Sequence, residues 1–195
     1  MKIGLFFGTF NPIHVGHLAI ANHMAQYTEL EKIWFVVTPK NPFKAKQTLL
    51  EDYHRMALVR VAIEDNPSFY ASDIEFKLPK PSYTIHTLTY LREENPDKEF
   101  SLIMGEDNLR SFHKWKNHEE IIHHHHLYIY PRISQENEKE PNNQFHNHPN
   151  VHFTNAPVMN ISASFIRAAI KNNKSVEYLL TPKVYKYLTE MHFYE

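Results

Sequence analysis

The chain of 195 residues contains no cysteine. That excludes a disulfide framework, thiolate catalysis and zinc sites built on sulfur, and it suits a reducing compartment. No stretch approaches the roughly 18 apolar residues of a membrane span, and the opening MKIGLFFGTF lacks the apolar core and small cleavage residues of a secretory leader. Formal net charge is −1, so no overall positive field recommends nucleic acid as a partner. These absences predict a cytoplasmic protein with no nucleic-acid and no membrane partner. Hydrophobic content of 42% and charged content of 22% are ordinary globular values. Residues 1–195 are expected to form a single domain, with no internal repeat and no dividing linker. Fifteen histidines make the surface charge unusually sensitive to pH.

Apolar periodicity alternates between two types along the chain. Residues 2–7, 32–38, 99–104, 127–130 and 151–154 read as strands, with a weaker one near 69–76. Helical spacing runs over residues 15–27 and 52–64, over a segment carrying Ile85, Leu88 and Leu91, and over 106–122 with a break around Trp115. Ser82 or Thr84 could cap the third of these helices. Ser162 could cap one containing residues 166–170, and Pro182 opens the last. Residues 39–48 and 132–150 read as loops. Strands alternating with helices predict an α/β fold: a Rossmann-like parallel sheet with helices on both faces.

The segment Gly8-Thr9-Phe10-Asn11-Pro12-Ile13-His14-Val15-Gly16-His17 joins the first strand to the first helix. In an open parallel sheet, ligands bind beyond the carboxyl ends of strands, and a helix N-terminus there suits phosphate. His14 and His17 are three apart on an opening helix, so both imidazoles fall on one side. Gly16 is expected to let a phosphate approach the backbone. Neither a Walker loop nor a GxGxxG fingerprint is present at this turn, so phosphate binding would be of another type. A zinc pair would sit four apart and need a third ligand. An arbitrary H-x-G-H is as often a pair of solvated histidines.

GTFNPIHVGH resembles the signature of the H-x-G-H nucleotidyltransferases, which have a Rossmann-like fold and hold a nucleoside triphosphate on the first-turn histidines. Ile161-Ser162-Ala163-Ser164-Phe165-Ile166-Arg167 is similar to that superfamily's second phosphate motif. Within it, Pro81-Ser82-Tyr83-Thr84-Ile85-His86-Thr87-Leu88, the segment from Gly105, Glu106 and Asp107 to Phe112, Trp115 and Lys116, and residues 180–188 resemble the nicotinate-nucleotide adenylyltransferase family. Departures are Asn11 where the family has an acid, Phe43 where it has a histidine, His86 where aspartate is typical, and Ala163-Ser164 for a Ser–Thr pair.

The resemblance implies an enzyme that adenylylates nicotinate mononucleotide from ATP, with Mg²⁺ carried by the ATP and no protein metal site. It implies His14, His17 and Arg167 as catalytic residues. ATP would be bound by Gly8, Thr9, Phe10, His14, Gly16, His17, Lys44, Gly105, Asp107, Ile161, Ser162 and Arg167. Thr9, Tyr83, Thr84, Trp115 and Lys116 would hold the pyridine nucleotide, and a homo-oligomer is left open. Alternatives are phosphopantetheine adenylyl transfer, cytidylyl transfer, a non-catalytic nucleotide sensor, and a histidine-rich metal carrier. The run at residues 123–126 is expected to be a solvated or loosely packed helix end, because adjacent helical histidines diverge and few could share one ion.

Overall fold

The computed structural model describes residues 1–39, 49–133 and 144–195. Six strands form one sheet: β1 (Lys2–Gly8), β2 (Lys32–Val37), β3 (Phe69–Ser72), β4 (Glu99–Gly105), β5 (Leu127–Tyr130) and β6 (Val151–Phe153). Their order is β3-β2-β1-β4-β5-β6 and every pairing is parallel. The order reverses at β1, which lies between β2 and β4. That is the switch point at which an open α/β sheet leaves a crevice for a ligand.

Alternation along each strand builds a core on each face. Phe6, Ile33, Phe35, Val37, Ile103, Tyr128 and Tyr130 point to one side. There they meet α1 (Val15–Tyr27), α2 (Asp52–Ile63), α7 (Ala163–Lys171) and α8 (Pro182–Glu190) through residues such as Met24, Val59, Ile166 and Leu188. Ile3, Leu5, Val36, Leu102, Met104 and Ile129 point to the other side. They pack under α4 (Thr84–Glu94), α5 (Glu106–Ser111) and α6 (His118–His124), which contribute Leu88, Leu109 and Ile121. The near-continuous apolar runs of β1, β2 and β4 follow from burial on both faces.

The Ser162 cap and the helix start at Pro182 agree with the sequence. Ser162 Oγ accepts the Phe165 N–H at 3.1 Å, and Thr181 Oγ1 accepts that of Val184 at 3.3 Å ahead of Pro182. The helix containing residues 166–170 therefore starts where Ser162 predicts. The break near Trp115 is also real: α5 ends at Ser111, a 3₁₀ turn covers Phe112–Lys114, and α6 starts at His118.

Three expectations need correction. The strand expected over 69–76 stops at Ser72, and α3 (Ile74–Lys77) follows; Glu75 is buried there, accepting a hydrogen bond from Thr87 Oγ1 at 3.0 Å. Neither Ser82 nor Thr84 caps α4: Tyr83 occupies the cap position, and no side chain bonds the first turn. The histidine run is not uniformly solvated. His125 is buried and donates through Nδ1 to the Phe100 carbonyl at 2.7 Å, while His126 pairs with His152 at 2.8 Å between ring nitrogens.

Leu102 lies on a central strand with 1% of its surface exposed. Leu102→Ala is expected to cost about 2–5 kcal/mol of unfolding free energy, and Thr181→Ala about 0.5–2 kcal/mol. Urea titrations followed by circular dichroism measure both. Equal losses would contradict this distinction between core and cap.

Candidate active site

The turn after β1 is shaped by its neighbours. Phe10 sits in the left-handed region at φ 45° with its ring buried against Phe6, Phe35 and His17. A Cβ on Gly8 would lie 3.0–3.2 Å from that ring, so the glycine is needed where strand meets turn. Beneath the turn the fully buried Arg55 donates to the carbonyls of Thr9 (2.7 Å), Thr38 (2.8 Å) and Leu50 (3.0 Å), and to the Asp52 carboxylate.

His14 is the N-cap of α1, and its ring stacks on that of His17 with centroids 3.7 Å apart. His17 Nδ1 accepts the His14 backbone N–H at 3.2 Å, which leaves Nε2 carrying the ring hydrogen as a donor. His14 Nδ1 is buried with no partner. Burial, reinforced by the nearby Arg132, pulls the His14 pKa down to about 4. Burial, His14 and Arg132 push that of His17 well below its usual value. Both imidazoles are therefore neutral near pH 7 and act as dipolar donors, not cations. A Cβ on Gly16 would lie 3.0 Å from His14 Nδ1, so the glycine leaves room for the His14 ring.

These two rings line a cavity of about 140 Å³ with Gly16, Ile20, Tyr130, Arg132, Met159, Ile161 and Ser162. The first turn and the segment preceding α7 thus meet, as their joint assignment to ATP requires. Arg167 reaches the turn from α7: Nη1 donates to the Asn11 carbonyl at 2.8 Å and Nη2 to Ser164 Oγ at 3.1 Å. Asp107, in the first turn of α5, accepts from Arg132 Nε at 3.4 Å, and a Cβ on Gly105 would press on both side chains. Lys44 lies outside the described residues.

Arg132 is a site residue that the sequence reading missed, because residues 132–150 were read as a surface loop. The available signal was its place just past the carboxyl end of β5, where ligand-binding groups concentrate.

The residues expected to hold the pyridine nucleotide form a second group. Lys116 Nζ lies 4.5 Å above the Tyr83 ring and 3.3 Å from His86 Nε2. Thr84 opens α4 one residue on. Trp115 is half-buried, edge-on to Phe112 at 5.4 Å, and packs against the core cluster that Phe7 and Ile85 also flank. Among the described residues, no three His, Asp or Glu side chains are placed to hold a metal ion.

A neutral donor pair at the switch point of a 3-2-1-4-5-6 parallel sheet defines a nucleotidyltransferase-type site, and the cytidylyltransferase-like family profile matches residues 5–169. Relatives in Flavobacterium psychrophilum and Flavobacterium johnsoniae, both named "Probable nicotinate-nucleotide adenylyltransferase", are 56% and 55% identical over 195 residues, covering all of each chain. The chain belongs to the nicotinate-nucleotide adenylyltransferase family. Among solved structures it is similar to Plasmodium falciparum nicotinic acid mononucleotide adenylyltransferase complexed with NaAD. The TM-score is 0.79 at 18% identity, over 99% of this chain and 97% of that one. The same parasite enzyme complexed with APC gives 0.78 at 18% identity, over 99% and 96%. At such identities the likeness concerns the fold.

The lowered His14 pKa has a sign that can be checked. Above pH 6.5 the ring is neutral both folded and unfolded, so His14 adds no pH dependence to stability. As pH falls from 6.5 towards about 4 the unfolded chain takes the proton and the folded one does not, so stability declines. His14→Gln should flatten that part of the pH–stability curve from urea unfolding between pH 4 and 7. An unchanged slope would mean that other histidines carry it.

Proposed function

We propose that the chain, acting as one nucleotidyltransferase domain, transfers AMP from Mg-ATP to nicotinate mononucleotide, giving nicotinate adenine dinucleotide and pyrophosphate. The observation that carries this reading is the stacked, neutral His14–His17 pair beside Arg132. It leaves an unpartnered buried nitrogen on His14 and a donor on His17 at a helix N-terminus. Family membership at 56% identity supports the choice of substrates.

The 5′-phosphate of the mononucleotide attacks the α-phosphorus of ATP in line, and pyrophosphate leaves. The nucleophile is already an anion, so no general base is needed. Rate comes from alignment and from donors aimed at phosphate oxygens as their charge changes. His14, His17 and Ser162, with Arg132 and Arg167 near them, serve the triphosphate; Gly8, Thr9 and Phe10 approach the nucleotides through the backbone. Gly105 and Asp107 bound the ATP side, Asp107 by fixing Arg132. Mg²⁺ enters as part of Mg-ATP, consistent with a site whose own acid, Asp107, is engaged by an arginine. Tyr83, Thr84, Trp115 and Lys116 hold the pyridine nucleotide. A carboxylate lacks a donor, so an N–H and ammonium environment favours nicotinate over nicotinamide.

Pyrophosphate release from Mg-ATP, tested separately with nicotinate mononucleotide, nicotinamide mononucleotide and phosphopantetheine, decides the substrate. The first should be preferred, and a preference for phosphopantetheine would overturn the reading. His17→Ala should lower kcat by about 10²–10³, as loss of an oxyanion donor does; near-normal turnover in the folded variant would remove the first turn from catalysis. Trp115→Ala should raise KM for nicotinate mononucleotide about two- to thirty-fold, the range of a lost cation–π contact, and leave that for ATP nearly unchanged. A rise for ATP alone would place Trp115 on the wrong side.

A further inference from the structure

The chain does not stop at α8. Residues 191–195 turn back towards the first turn, and two of them, His192 (φ 54°) and Tyr194 (φ 68°), are non-glycine residues in the left-handed region. Each such residue costs on the order of 1–3 kcal/mol and persists only where surrounding contacts hold it. Phe193 is one holder: it is buried in the core, its ring meets that of His54 with centroids 4.6 Å apart, and its N–H reaches the Leu188 carbonyl at 3.1 Å. The other is polar. Tyr194 Oη donates to Asn11 Oδ1 at 2.6 Å.

Asn11 is where this contact acquires consequences. It lies within the turn between β1 and α1 and is buried. Its Oδ1 accepts the Leu50 backbone N–H at 3.2 Å as well as the Tyr194 hydroxyl, so two separate parts of the chain fix the side chain. Its backbone carbonyl accepts Arg167 Nη1. The tyrosine hydroxyl is a dependable donor there, because burial pushes its pKa up against the opposing pull of Arg167 and Arg55. Tyr194, Asn11 and Arg167 thus form one chain of contacts, from the end of the fold to the motif that opens α7.

We propose that Tyr194 is a positioning residue for the phosphate site: it fixes Asn11, and through the Asn11 carbonyl it sets where the Arg167 guanidinium stands. The proposal rests on the reading that Arg167 serves the triphosphate. In this role Tyr194 acts only through Asn11 and Arg167, which makes its effect selective. Loss of the hydroxyl removes the Tyr194 hold on Asn11 Oδ1 and leaves that of Leu50, which loosens the carbonyl that holds Arg167 and weakens ATP handling. The pyridine side, organised on α4 and around Trp115, is untouched.

The test is a double-mutant cycle in the full-length protein. Tyr194→Phe keeps the ring and removes one hydrogen bond. It should lower kcat/KM for Mg-ATP about two- to ten-fold, the range for one such bond. KM for nicotinate mononucleotide should stay constant, and Tm by differential scanning calorimetry should move by a few degrees at most. Arg167→Ala should cost more, and adding Tyr194→Phe to it should cost nothing further, because the two act as a unit. Wild-type ATP kinetics in Tyr194→Phe, or the same fractional loss in the Arg167→Ala background, overturns the proposal. A parallel rise in both KM values together with a large fall in Tm assigns Tyr194 to folding alone and also overturns it. If Arg167→Ala leaves ATP kinetics unchanged, the reading of Arg167 itself fails. If Arg167→Ala is costly while Tyr194→Phe is silent, only the positioning role fails.

Discussion

Arg55 has none of its surface in contact with solvent, yet it carries a charge in the middle of the fold. Taking an ion out of water costs several kcal/mol unless its donors are met by well-placed acceptors. Here the acceptors are the carbonyls of Thr9, Thr38 and Leu50 and the carboxylate of Asp52. They come from the turn after β1, the end of β2 and the start of α2; the ladder joins the first two, the Thr38 N–H donating to the Gly8 carbonyl at 2.9 Å, and Arg55 ties in the third. The turn that presents His14 and His17 is held from beneath by this one side chain. Leu50, held by Arg55 through its carbonyl, donates its N–H to Asn11, so the anchorage extends to the residue on which Arg167 rests.

The site's positive potential is divided between two kinds of group. The histidines are kept neutral by burial and by Arg132, so they offer direction without charge. Arg132 and Arg167 offer charge, each steadied by an acceptor of its own, Asp107 and the Asn11 carbonyl respectively. A donor that is already oriented and already dehydrated has little to reorganise as phosphate charge shifts, which is the condition for electrostatic catalysis. Placing cations at the rim and neutral donors within the cavity also avoids confining two like charges on rings 3.7 Å apart.

Much of this was legible in the sequence because it rests on local signals. The apolar runs of β1, β2 and β4, the Ser162 cap, the helix start at Pro182, the break around Trp115 and the spacing of His14 and His17 are each decided within a few residues. What was not legible depends on partners far along the chain. Glu75 reads as the polar position of a strand, and only the approach of Thr87 from α4 makes a buried acid on a short helix tolerable. His125 looks like one of four exposed histidines until the Phe100 carbonyl on β4 is seen to accept its hydrogen. Arg132 carries no motif, and its neighbours His14 and Asp107 are remote in sequence. Gly16 was legible as a need for space, but that the space is filled by His14 itself was not.

Phe10 is held in a backbone conformation that a bulky side chain rarely adopts, and its ring is wedged among Phe6, Phe35 and His17. The same ring is a core residue and the buttress of His17 in the candidate site. A glycine at this place would relax the backbone and leave a hole; any other aromatic would keep the strain. The protein therefore has no means of repacking this corner of its interior without also retuning the site above it. Selection on turnover and selection on thermal endurance here act on one and the same ring.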